Sequence, residues 1–177
     1  VTVAAASTIN TSRATAGAGV THTIGALSLG TPILTINPVV ATSGTQALTV
    51  GAVTLTGNAT LNVAPTALSG VTSLVTVGAV GGGFSLTKTG TGNLTFSAAG
   101  TYTGGTLIQG GVVQVNNNTS LGTGDVTVAT TVAGRLLINA GVTIANNAIL
   151  NTSVGVAGTG LIQQTGTGQA RINGTIT

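Results

Sequence analysis

Residues Leu86–Val115 read LTKTGTGNLTFSAAGTYTGGTLIQGGVVQV. Short apolar alternations such as Leu94-Thr95-Phe96 and Val113-Gln114-Val115 sit between glycine-bearing breaks. Alternation of this kind puts apolar side chains on one face of a strand and polar ones on the other. The same texture runs outward in both directions. Val20-Thr21-His22-Thr23-Ile24, Leu27-Ser28-Leu29, Leu34-Thr35-Ile36 and Leu48-Thr49-Val50 alternate, and so do Val53-Thr54-Leu55, Leu61-Asn62-Val63, Val75-Thr76-Val77 and Val126-Thr127-Val128. Gly, Asn or Ser returns every ~8–12 residues, the spacing of short strands joined by turns.

Composition points the same way. Only 3% of the 177 residues are charged, against ~25% in an ordinary globular chain. Asp125 is the one acid; the bases are Arg13, Lys88, Arg135 and Arg171, and the one histidine is His22. The aromatics are Phe84, Phe96 and Tyr102. With 42% apolar residues and a mean hydropathy of +0.59, the chain lacks the charge-rich, apolar-poor signature of disorder. β-Branched residues abound and strong helix formers are scarce, so the expected class is all-β.

Among all-β architectures, a parallel β-solenoid fits best. Sandwich edges are ordinarily protected by charge, and this chain has almost none. In a solenoid each coil pairs its backbone with the next at ~4.8 Å, small aliphatics fill the interior, and polar residues line up in ladders outside. A β-sandwich fibre subunit completed by a neighbour's strand is the alternative. Coils of roughly 20 residues would give about eight or nine coils and a rod of about 40 Å. Residues 1–50 hold the pattern less regularly and contain Pro32 and Pro38, which cannot donate to a ladder and suit corners or an edge. They are expected to form a less regular β region or solenoid end, with residues 51–177 as the solenoid proper. Within it, LTKTGTGNLTFS (86–97) is echoed by IQQTGTGQARIN (162–173), 76 residues later. The repeat at 84–128 would thus have a partial second copy at 160–177.

Reactive chemistry is hard to assemble from these residues. Nucleophilic catalysis needs a base beside a nucleophile and a third group to orient it; His22 and Asp125 lie in no such motif. Glycoside hydrolysis usually needs a carboxylate pair, and one acid cannot supply it. Metal sites fail on the same count. GAVGGGF (78–84) lacks the Lys-Ser/Thr of a phosphate loop and reads as a corner or bulge. The expectation is therefore no catalytic, cofactor-binding or metal-ligating residues, no cofactor and no enzyme. A pI near 10.9 comes from four dispersed bases without an aromatic platform, so nucleic acid is not an expected partner. No apolar run is long enough for a membrane-spanning helix. The absence of Met indicates a processed product or a piece of a longer chain. Asn-x-Ser/Thr sequons at Asn10, Asn58, Asn93, Asn117, Asn118, Asn151 and Asn173 make glycosylation a hypothesis that intact mass would test.

The stretch from Phe84 to Val128 resembles the autotransporter-associated β-strand repeat, or passenger-associated transport repeat. The resemblance rests on Leu86, Lys88, Gly90, Gly92, Leu94 and Phe96, then Tyr102, Gly104, Gly105 and Thr106. Gly111, Val113 and Val115 follow, with Leu121, Gly122 and Gly124 after them. The second copy has Gln164 in place of the lysine. The resemblance implies a right-handed parallel β-helix at a bacterial surface, with no catalytic residues in the motif. The expected function is an extracellular structural stalk or filament, whose partners are copies of itself or neighbouring repeats of a longer chain. An adhesin binding surface glycans is the alternative. Lys88 is expected as a snorkelling surface charge, and Tyr102 as a corner aromatic packed across small residues.

Overall fold

A computed structural model describes residues 1–177 except 13, 14, 16, 40, 41, 66–70, 130–133 and 152–161. The chain winds as a β-solenoid of about six turns. Every strand pairing among the described residues is parallel, and no helix occurs among them. Seven strands stack in a first sheet: Ser7–Ser12, Ile33–Val39, Ala59–Val63, Leu86–Thr89, Thr106–Ile108, Val126–Ala129 and Ala148–Asn151. Seven more form a second sheet: Thr21–Ile24, Gly44–Val50, Val71–Val77, Asn93–Phe96, Val112–Val115, Arg135–Asn139 and Ile162–Thr165. A third sheet of four strands, Thr2–Val3, Leu27–Leu29, Val53–Leu55 and Val80–Gly81, closes the early turns. Thr143–Ile144 and Arg171–Ile172 pair late in the chain. The face-packed antiparallel sheets of a sandwich are not what this chain forms.

Each alternating stretch read from the sequence lies in one of these strands, and its apolar members stack into interior columns. Leu34, Leu61, Lys88, Ile108 and Val128 stand over one another in the first sheet. Leu48, Val75, Leu94, Val113 and Leu136 do so in the second, and Val3, Leu29 and Leu55 in the third. All of these side chains are buried, and each aliphatic contributes about 1.5–3 kcal/mol by leaving water. The outer positions carry the anticipated polar ladders. Asn37 Nδ2 donates to Asn10 Oδ1 at 3.2 Å. Farther along, Gln114 Nε2 donates to Asn139 Oδ1 at 2.8 Å, and Asn139 Nδ2 to Asn116 Oδ1 at 2.7 Å.

Turn length corrects the expectation of eight or nine coils of 20 residues. Leu34, Leu61 and Lys88 are spaced 27 residues apart, while Lys88, Ile108 and Val128 are spaced 20 apart. Early turns are longer because they carry the third sheet and a wider corner. After Val80–Gly81 the third side continues through single bonds, such as Thr101 N–H to Val80 O at 2.8 Å and Thr123 N–H to Tyr102 O at 3.0 Å. Seven rungs at ~4.8 Å span about 30 Å, shorter than the rod first expected.

Residues 2–50 contribute strands to all three sheets in the same parallel register as their successors. Pro38 lies inside Ile33–Val39 yet fits, because the strand that follows pairs only as far as Ile36. Its missing N–H therefore falls where the ladder is one-sided. The two copies of the TGTG motif sit on different sides of the coil. Leu86–Thr89 belongs to the first sheet and Ile162–Thr165 to the second. The local strand–turn–strand unit recurs, displaced by one face.

Candidate functional site: the lysine-capped turn and the tyrosine corner

Lys88 faces inward by simple alternation, since Leu86 on the same strand is buried in the core. It occupies the place where the rungs before and after put Leu61 and Ile108. The sequence reading of a surface charge is corrected: the side chain is 0% exposed. Its ammonium donates to Thr89 O at 2.7 Å, Gly90 O at 2.9 Å and Gly110 O at 3.2 Å. The first two carbonyls belong to its own corner and the third to the next turn. All three ammonium hydrogens are thereby used, and two tight corners are tied together.

Those corners explain the glycines of the motif. Thr89 and Asn93 are separated by a three-residue turn, and Gly90 in it has φ +72°, a conformation costly for any residue with a Cβ. Consecutive corners also stack backbone on backbone. A Cβ on Gly111 would lie 2.4 Å from Gly92 O. Carbonyls crowded at such a corner need donors, and a lysine reaching up from inside supplies them. Gln164, at the matching place of the second copy, does so with an amide: its Nε2 donates to Gly166 O and Gly168 O.

Two further donors of this kind were missed in the sequence. Asn146 is buried and gives Nδ2 to Leu121 O, Gly122 O and Gly124 O at 3.4, 3.2 and 2.8 Å. Gln46 is buried, donates to Thr11 O at 2.9 Å and accepts from Val20 N–H at 2.7 Å. Asn and Gln are so frequent in turns and outer faces here that nothing marks these two as internal. An apolar position filled by an amide in the register of successive rungs was the available signal.

Tyr102 packs inside, as a corner aromatic should, and is 0% exposed. Its ring stacks on Phe96 with centroids 6.5 Å apart and planes 17° from parallel. Its hydroxyl meets Thr106 Oγ1 at 2.5 Å, and Thr106 itself stands in the interior column after Leu86. No buried side-chain polar atom among the described residues lacks a partner. Full burial removes Tyr102 from any exposed aromatic row for glycans. His22 and Asp125 are not brought together. A His22 ring nitrogen, Nε2, lies 3.0 Å from Ser12 O, and the exposed Asp125 accepts from Asn147 Nδ2 at 3.0 Å. The GAVGGGF stretch supplies the strand Val80–Gly81 and the bend that follows it.

Burial lowers the Lys88 pKa from 10.5 to about 7, and it raises that of Tyr102 above its usual 10, against a smaller opposing pull from Thr106. In the unfolded chain Lys88 keeps its proton to about 10.5. Between about pH 7 and 10.5 the unfolded state thus binds more protons, so unfolding free energy rises with pH in that window. Above pH 10 the unfolded chain loses the Tyr102 proton that the folded one retains, and stability falls. Urea titrations from pH 6 to 11 should show a maximum near pH 10. Lys88→Met should abolish the rise and keep the fall. A wild-type profile flat from pH 7 to 10 contradicts the burial of Lys88.

No curated protein and no solved structure matches the chain. A family model, the passenger-associated-transport-repeat, matches residues 86–115, a shorter span than the resemblance from Phe84 to Val128, leaving Leu121, Gly122 and Gly124 outside it. The matched span contains both the lysine-capped turn and Tyr102 with its Thr106 partner, and it makes this β-solenoid an autotransporter passenger-like one.

Proposed function

We propose that the chain is a non-catalytic structural segment of a protein displayed outside a bacterial cell, a stalk built by stacking identical kinds of turn. One observation carries this reading. The chemically capable side chains are engaged in holding the coil: Lys88 on three carbonyls, Tyr102 on Thr106, His22 on Ser12 and Asp125 on Asn147. The match of residues 86–115 to a repeat of secreted passengers supports the location at the surface. A ladder of parallel rungs accepts one kind of neighbour most readily, namely more of the same ladder, from adjoining repeats or from another copy.

Electron microscopy of surface material from cells producing the protein, with the chain labelled, tests the proposal. The expected image is a thin continuous stalk or filament with a ~4.8 Å rung repeat along its axis. Label confined to the cytoplasm, or to compact particles without that repeat, overturns it.

A further inference from the structure

The first sheet begins at a corner where side chains stack in order from rung to rung. Asn58, Ser85, Asp125 and Asn147 occupy one column of that corner, with Gly105 standing between Ser85 and Asp125. Asn58 Oδ1 accepts from Ser85 Oγ at 3.1 Å, and Asp125 Oδ1 from Asn147 Nδ2 at 3.0 Å. The column is therefore linked above and below Gly105 and interrupted at it. In the column alongside, Phe84 is followed by Gly104 and then Gly124.

Close stacking makes these glycines obligatory. A Cβ on Gly104 would lie 2.4 Å from Phe84 C, and one on Gly124 would lie 2.3 Å from Gly105 N. The consequence is a gap in the outer wall. It is a concave site of about 480 Å³, lined by Ser85, Thr103, the three glycines, Thr106, Leu107, Asp125, Thr127 and Ile149. That volume lies in the range of small-molecule sites.

We infer that this gap binds a neutral saccharide unit. Its lining pairs two kinds of group that sugars require. Leu107 and the 37% exposed Ile149 offer apolar surface for a C–H face, and Phe84, 41% exposed, stands at the rim one rung from Gly104. Asp125, the one carboxylate of the chain, supplies a charged acceptor for sugar hydroxyls, and the hydroxyls of Thr103 and Thr127 border it. Charge-assisted hydrogen bonds of this type are the strong ones in polar recognition. A uronic acid would place its own carboxylate beside Asp125, so neutral sugars are selected. The site is independent of the stalk reading, because a stalk without it would stand equally well.

The test uses amide NMR spectra of the chain titrated with maltose, cellobiose, lactose, N,N′-diacetylchitobiose and galacturonic acid. At least one neutral disaccharide should shift the amides of Gly104, Gly105 and Gly124, and galacturonic acid should not. Asp125→Ala should weaken that binding about tenfold, and Phe84→Ala should weaken it too. Amides elsewhere should be unmoved in both variants, which separates lost binding from lost fold. Shifts on none of these glycines with any sugar overturn the inference, as does binding that both variants leave unchanged.

Discussion

Tyr102→Ala should lower the unfolding free energy by about 3–5 kcal/mol, the range for truncating a large buried aromatic. The ring is 0% exposed and stacked on Phe96. It fills the side of the coil that the third sheet closes in earlier turns. The third sheet ends at Val80–Gly81, so few neighbours can collapse into the vacated space. Tyr102→Phe separates the ring from its hydroxyl. It keeps the stacking, leaves Thr106 Oγ1 without its phenol partner, and should cost about 1 kcal/mol. Urea unfolding of the two variants checks both values, and equal losses would show that the hydroxyl rather than the ring matters.

Gly122→Ala should cost about 3 kcal/mol or more, although it adds one methyl group. Gly122 has φ +61°, where a Cβ costs about 1–2 kcal/mol. That Cβ would also sit 2.0 Å from Tyr102 O. The collision is with backbone of the neighbouring rung, so relief means prising rungs apart and weakening the bond from Thr123 N–H to Tyr102 O. Gly25→Ala is the control. Nothing lies within 4 Å of its added Cβ, and a change within about 0.5 kcal/mol is expected. Thermal melts of the pair should differ widely; a shared small shift would mean that rungs do not stack as closely as described.

Much of the fold was legible because its cause is local. Strict alternation in stretches such as Leu61-Asn62-Val63 fixes which side chains enter the core, whatever the turn between strands. Scarcity of charge spoke against exposed sheet edges of the ordinary kind, and the structure answers with parallel rungs. Turn length was not legible, because it depends on which corners carry extra residues. Thr89 to Asn93 turns in three residues, whereas Val63 to Val71 takes seven. Glycine marks both kinds of corner. Lys88 was misread for a related reason. Its charge argues for the surface, and only the three carbonyls of two stacked corners reverse that preference. Those carbonyls belong partly to Gly110, which is brought near by folding alone. The gap at Gly104, Gly105 and Gly124 was invisible for the same reason, since it exists between rungs and not along the chain.

The central claim is that successive turns stand in parallel register, one rung apart. The absence of native cysteine allows paired spin labels to test it directly. Thr60, Thr87 and Leu107 are consecutive members of one outer column of the first sheet. Labels on Thr60 and Thr87, and separately on Thr87 and Leu107, should show strong dipolar broadening from backbones ~4.8 Å apart. The Thr60 and Leu107 pair, two rungs apart, should be broadened less. Weak coupling in both adjacent pairs, or stronger coupling between Thr60 and Leu107 than in either, would contradict the solenoid.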